Sequence, residues 1–374
     1  MAENEALLRR IGAALKTEDP VDALARQLPA TDLASLLLHV FAARTEGLEA
    51  RKLLQRFEAL RAAQPNPNDP RALNAIAGEA YGAASAFEAV ELGPVLPLGA
   101  AHALGGVHQN NVLGAGRGLE VIADTSDALA LEIARRRRAL SATQRLETTT
   151  RLCGEHRVLR LQPLPDPRLL PHFRLFAFAS AGRDGPTAFA LSAAREHLAA
   201  HLTCFRRLNQ RGYAIGALTA QVTDTEVVRW LLERAKLDPE AVRSEIRAHH
   251  FGGSAELLAS RGVRLPSSAA EAMALPDLPV RLRARLERLE SHACAPLRAE
   301  FPDVEVAVDL TRLEGLAYYD GLAMRVTATT ARGERFPLAD GGALDWMARM
   351  LGDGKERMVA SGFGPDLIAS LFRP

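Results

Sequence analysis

Residues 308–321 read VDLTRLEGLAYYDG, and the fold turns on how this stretch is read. It begins inside one β-leaning run, VEVAVDL (304–310), and ends at the start of another, GLAMRVTAT (321–329). Between the runs stand Arg312 and Glu314, then the paired Tyr318 and Tyr319, then Gly321. Residues two apart share a side of a regular strand, so Arg312 and Glu314 are expected on one face. Further short β-leaning runs lie upstream: FEAVELGPVLPLG (87–99), LEVIAD (119–124), HRVLRLQ (156–162) and FRLFAFAS (173–180). Helical blocks rich in Ala, Leu and Arg separate them at 125–140 and 186–211. Residues 223–298 read as nearly all helix, broken at HHFGGS and LPSS, and strands return over 303–364. Strands and helices do not alternate regularly, which argues against a doubly wound parallel sheet. The pattern predicts an α+β protein: an antiparallel sheet flanked by helices, with an inserted helical subdomain.

The remaining composition narrows the functional classes. The chain has 374 residues, 46 Lys plus Arg against 45 Asp plus Glu, and a net charge of +1. That balance does not suggest a polyanion or membrane partner, so neither nucleic acid nor membrane is expected. Hydrophobic residues at 48% and charged residues at 24% describe a folded chain rather than a disordered one. Cys153, Cys204 and Cys294 lie far apart with no CxxC pair, so zinc ribbons and a disulfide framework are unsupported, and a reducing cytoplasm is the expected compartment. The N-terminus MAENEALLRRIG lacks a signal-type apolar run, and no stretch approaches the ~20 apolar residues that cross a bilayer.

Residues 1–66 are expected to form a helical domain. Leu7, Leu8, Ile11, Ala14 and Leu15 recur at helical spacing, as do Leu33, Leu36, Leu37, Val40 and Phe41, and then Leu53, Leu54, Phe57 and Leu60. Pro20 suits a first helical turn, and Thr31-Asp32 reads as a cap. The polar, proline-rich QPNPNDP (64–70) closes this domain. Residues 67–374 then form the core, with the helical insertion at about 223–298.

Several motifs have plain structural readings. The cluster Gly114-Ala115-Gly116-Arg117-Gly118 precedes a strand instead of linking a strand to a helix, so it reads as a tight turn rather than a nucleotide fingerprint. His197 and His201 share a helical face, but Glu196 precedes them, whereas a zinc helix of the HExxH type needs the acid between them. They read as surface or half-buried histidines, and no metal is expected. His249-His250 reads as a helix end. Arg135 to Arg138 closes a helix at the favourable end of its dipole; an RNA contact there would want interleaved aromatics, which are absent. There is no P-loop and no GxSxG.

Residues 308–321 resemble the RGLDYYTG motif of histidyl-tRNA synthetases and their paralogues. Ala339-Asp340-Gly341-Gly342-Ala343-Leu344-Asp345 is similar to their GGRYD, and Met358 to Phe363 resembles the GF strand of class II motif 3. Val121 to Ser126 is similar to LRPEGT. Four weak motifs in the right order, over about 86–370, imply a class II aminoacyl-tRNA synthetase-like core. This resemblance implies a homodimer formed through motif 1, whose proline falls at Pro94 or Pro97. The absence of a following anticodon-binding segment makes the regulatory subunit of ATP phosphoribosyltransferase, in histidine biosynthesis, the most similar paralogue. A phosphoribosyltransferase catalytic chain is then the expected protein partner.

The departures are equally informative. The motif arginine that serves adenylation falls on Glu314, an anion where attraction to phosphate is needed. In the second strand of motif 2 the glutamine falls on Phe178 and the glutamate on Gly182, and the motif 3 arginine falls on Ala369. Adenylate formation is therefore not expected: the chain reads as a pseudoenzyme, with no cofactor and no catalytic residue. The amino-acid half of the pocket is better kept. Asp124, Ser126, Tyr318 and Tyr319 are the candidate ligand residues, for a small amino acid, with a helix cap as the structural alternative for Asp124. The rival reading is an ATP-dependent amino-acid ligase acting on a non-tRNA acceptor, with Arg160, Arg174 or Arg183 rebuilding the phosphate site.

Overall fold

The computed structural model describes residues 2–162, 170–183, 188–248 and 253–373. The strands are β1 (Glu88–Ala89), β2 (Val95–Pro97), β3 (Gly114–Ala115), β4 (Leu119–Val121), β5 (Thr150–Leu159), β6 (His172–Arg183), β7 (Leu218–Asp224), β8 (Glu305–Val308), β9 (Leu322–Thr329), β10 (Arg335–Leu344) and β11 (Glu356–Phe363). The chain divides into two compact units. One comprises 1–65, 94–123 and 159–171; the other comprises 66–93, 124–158 and 172–374.

The first unit contains the helices Ala2–Leu15, Ala30–Thr45 and Ala50–Ala59 and the small sheet β2-β4-β3. Asp19 caps the turn that Pro20 begins, as its sequence suggests. The second helix starts one residue before Thr31, behind Pro29, and no side chain caps it, so the expected Thr31-Asp32 cap is not formed. The apolar stripes are largely uncovered: Leu36, Val40, Phe41, Leu53, Leu54, Phe57 and Leu60 are all exposed. The glycine cluster is the turn between β3 and β4, where Arg117 and Gly118 take left-handed φ values of 71° and 69°. Buried Glu120 accepts from the Gly99 and Ala101 amides at 2.7 and 2.8 Å, supplying acceptors at the start of the helix Ala100–Gly105.

The second unit is built on an eight-stranded sheet of order β1-β5-β6-β11-β10-β9-β7-β8. Its centre, β6 to β7, is antiparallel, whereas β1–β5 and β7–β8 are parallel pairs. The expected antiparallel sheet flanked by helices is thus present, with parallel pairs at its two edges. Parallel neighbours need long crossovers, and the helices between Thr225 and Glu300 supply one from β7 to β8. The strand β7, LTAQVTD, is buried on both faces and shows no period-two signal, which is why it escaped the sequence reading.

Helices cover the two faces of the sheet. The 23-residue helix Ala188–Gln210 lies behind β6 and β11, burying Leu191, Ala194, Leu198, Leu202 and Phe205 among Phe176, Phe178 and Phe363. The helix Thr125–Arg138 packs against β6 and β11 from the other side, through its buried Leu129 and Ile133. Alternation fixes which residues meet which helix. Phe178, Ser180 and Ser361 point to the 188–210 helix, whereas Glu356 points to the 125–138 helix. Among the described residues no helix is long and apolar enough to cross a membrane.

Candidate functional site

One row across the central sheet pairs Gln221 with Arg325, Arg325 with Asp340, Asp340 with Gly362 and Gly362 with Ala177. Ser361 and Phe178 face the opposite way, so this row lies on the side of the 125–138 helix. Asp340 is its chemical centre. Arg312 Nη2 donates to both its oxygens, at 2.7 and 2.6 Å, and the Tyr319 hydroxyl donates to Oδ1 at 2.8 Å. Arg325 adds two longer bonds at 3.3 Å. Burial alone would raise the Asp340 carboxyl, but Arg312 and Arg325 outweigh it and hold the group below its ordinary value. Burial and Asp340 together push the Tyr319 hydroxyl well above 10, so it remains a donor. The Tyr319 ring lies over Gly342, where a Cβ would run into the ring and the Leu322 carbonyl.

Arg312 and Glu314 do not share a face. Residues 309–313 are irregular and Glu314–Tyr318 is a short helix, so strand alternation does not apply. Arg312 turns into the sheet face, its Nη1 also donating to the Met324 carbonyl at 3.0 Å. Glu314 turns the other way, to the N-terminus of the helix Gly253–Ser260, where the Ser254 hydroxyl donates to it at 2.5 Å. The same hydroxyl accepts from the Leu313 amide at 2.8 Å. Burial would raise the Glu314 carboxyl, but the Ser254 bond, its own backbone amide and the charges of Arg325 and Arg312 together hold it below its usual value. The anion expected to repel phosphate thus serves a helix terminus, and a cation two residues earlier enters the site.

Asp124 is the N-cap of the 125–138 helix, its Oδ1 accepting from the Ser126 amide at 2.9 Å and the Ser126 hydroxyl at 2.7 Å. It is close enough to Tyr319 for its charge to help raise that hydroxyl. Of the four residues singled out in the sequence, Tyr319 is bonded to Asp340 and Asp124 lies within electrostatic reach of Tyr319, while Tyr318 is 38% exposed and stands edge-on to Tyr319 and Trp346.

The histidine reading needs correction. His197 and His201 are fully buried on the opposite face. His197 lies 2.9 Å from the hydroxyls of both Ser180 and Ser361, and His201 lies 2.8 Å from Ser361. Burial lowers both, His201 to about 3, so both are neutral. Arg137, within the run Arg135 to Arg138, has a structural role: it is fully buried and forks onto Glu356 at 2.6 and 3.1 Å. His249 and His250 lie outside the described residues. No group of three or more His, Cys, Asp or Glu among the described residues could hold a metal.

Comparison with known proteins bears on the fold that carries this row. Residues 205–369 match the family model described as Histidyl-tRNA synthetase. The histidyl-tRNA synthetase of Nostoc sp. PCC 7120 superposes with a TM-score of 0.62 at 17% identity, over 83% of this chain and 74% of that one. An ATP phosphoribosyltransferase regulatory subunit/histidyl-tRNA synthetase from Bacillus halodurans gives 0.58 at 14%, over 83% of each chain. A chain of the ATP phosphoribosyl transferase complex from Thermotoga maritima gives 0.50 at 16%, over 79% of this chain and 97% of that one. No curated protein matches the sequence. The protein has a class II, histidyl-tRNA synthetase-like fold.

Within that fold, the strand wall beside the site differs from its expected form. Phe178 does not face the site but packs on His201, 4.9 Å between ring centres. The central β6 residues on the site face are Ala177, Ala179 and Ala181, and the first polar side chain on that face is Arg183 at the strand end, opposite Glu356. The three arginines considered for a rebuilt phosphate site all have other partners. Arg174 binds Asn74 at 2.7 Å and Glu155 at 3.3 Å, and its backbone amide donates to Asp366. Arg183 pairs with Asp353 at 3.0 Å. Arg160 belongs to the first unit, where its Nε donates to the Ala123 carbonyl at 2.9 Å. Ala369 is buried in the helix Pro365–Leu371. The sequence reading missed Asp340 and Arg325. The available signal was an acid inside the run LADGGAL (338–344), otherwise built of Ala, Gly and Leu, since such a group needs a cationic partner.

Proposed function

We propose that this chain is a non-catalytic, class II synthetase-like protein that acts through a protein partner and keeps a small ligand site on its sheet face. The supporting observation is made on the described residues: alanines line the centre of the site face of β6, Ala369 stands where the motif 3 arginine is expected, and Arg174 and Arg183 are engaged by Glu155 and Asp353. Adenylation needs positive groups aimed at the phosphates as charge develops, and arginines already held by carboxylates cannot supply them without breaking those pairs. The partner best supported is a phosphoribosyltransferase catalytic chain, because one structural relative is part of such a complex. The acting form is a homodimer, and the compartment is the reducing cytoplasm, where three buried free thiols are stable. ATP–pyrophosphate exchange with each of the twenty amino acids tests the reading. No exchange above background is expected, and clear ATP-dependent exchange with any one of them would overturn it.

A further inference from the structure

We infer that Asp340 is a built-in carboxylate occupying the carboxylate half of the sheet-face site, so that the ligand accepted there is a small primary amine without an α-carboxylate. The inference rests on this face being a ligand site; it does not depend on whether the chain is catalytic.

A free α-amino acid needs an anion for its ammonium and a cation for its carboxylate. The cations here are Arg312 and Arg325, and both already face Asp340. Arg312 Nη2 reaches its two oxygens at 2.7 and 2.6 Å, Arg325 reaches Oδ2 at 3.3 Å, and the Tyr319 hydroxyl takes Oδ1 at 2.8 Å. This is the set of partners a bound carboxylate would want. A tethered group competes at an effective concentration of millimolar or more, so a dissolved carboxylate displaces it poorly.

Exposure points the same way. The Asp340 side chain is 40% exposed, against 3% for Arg312 and 18% for Arg325. An approaching ligand therefore meets the carboxylate first, with the guanidinium groups behind it. A second carboxylate arriving there faces like charge, whereas an ammonium is attracted. Asp124 adds a further anion on the same side, oriented by the Ser126 amide and hydroxyl and electrostatically coupled to Tyr319. Gly342 leaves the room that the Tyr319 ring occupies, since a Cβ there would run into it.

Matched pairs isolate the carboxylate: ethylamine against alanine, histamine against histidine, agmatine against arginine. Each is titrated into the full-length chain by calorimetry, with thermal unfolding alongside. At least one amine should bind about tenfold or more tightly than its amino acid. In Asp340→Gly, formate or acetate should raise the unfolding temperature where it leaves wild type unchanged, and the preference within the pair should reverse. An amino acid binding wild type as tightly as its amine would overturn the inference, as would failure of all three amines. Should Asp340→Gly fail to fold even with formate, the wild-type pairs still decide the matter. Pyrophosphate exchange is a separate readout: activity there would remove the non-catalytic reading and leave an amine preference standing, and the converse also holds.

Discussion

The fully buried pair Arg137–Glu356 gives the sharpest test of how the site is held. Glu356 accepts from Arg137 Nε at 2.6 Å and Nη2 at 3.1 Å, and neither side chain has any exposed surface. Arg137 also donates to the Thr148 carbonyl at 2.8 Å and the Arg145 carbonyl at 3.0 Å. Glu356→Gln keeps the shape but leaves the guanidinium without a counter-charge, which costs about 3–5 kcal/mol. Arg137→Met leaves a buried carboxylate and should cost a similar amount. The double variant Arg137→Met/Glu356→Leu removes both charges and loses mainly the donors to two carbonyls, about 1–3 kcal/mol each. It should therefore fall short of the summed single effects by at least ~2 kcal/mol. Urea unfolding followed by tryptophan fluorescence measures this, because Trp230 and Trp346 both lie in the second unit. A change below ~1 kcal/mol for Glu356→Gln, or simple additivity in the double variant, would refute the argument. The result bears on function because the same helix begins at Asp124, so loosening Arg137 should also weaken binding at the sheet face.

Two further outcomes follow from the same structure. His197 and His201 have folded-state pKa values below the ordinary 6.5, so the unfolded chain binds more protons in acid; their stabilising contribution is present above about pH 6.5 and is lost as pH falls toward 3, by about 1.4 kcal/mol per pH unit for each histidine. The urea midpoint should drop between pH 6.5 and 5, and His201→Gln should make that slope shallower; a midpoint flat over this range would sink the assignment. Glu314→Ala should uncap the helix Gly253–Ser260, at a cost of about 1–2 kcal/mol, and speed amide exchange over 254–260, whereas unchanged exchange there would show that Glu314 does not hold this helix.

Much of this was legible in the chain, and the unread parts have physical causes. The cap at Asp124, the turn at Gly114–Gly118 and the helical run before β8 are local matters, decided by hydrogen bonds and periodicity within a few residues. Arg312 and Glu314 were misplaced because the strand rule was carried past the end of β8 into an irregular segment. Phe178 was assigned to the site by spacing within a motif, yet a shift of one position along β6 exchanges the faces, and alanines took its place. His197 and His201 looked like surface residues because their serine partners lie 17 residues away on β6 and 160 or more away on β11.

The sequence by itself determined the class of fold and the order of its parts, because motif order and hydrophobic periodicity are properties of the linear chain. It also put Glu314 and Ala369 at the positions that align with two arginines of the family's motifs. Which charges meet was decided only in three dimensions. Asp340 became the centre of the site when β9, β10 and the loop after β8 placed Arg325, Arg312 and Tyr319 around it, and Glu314 was drawn off by a helix 60 residues away. Coulomb attraction and desolvation act through space at a few ångströms, and no spacing along the chain encodes that distance.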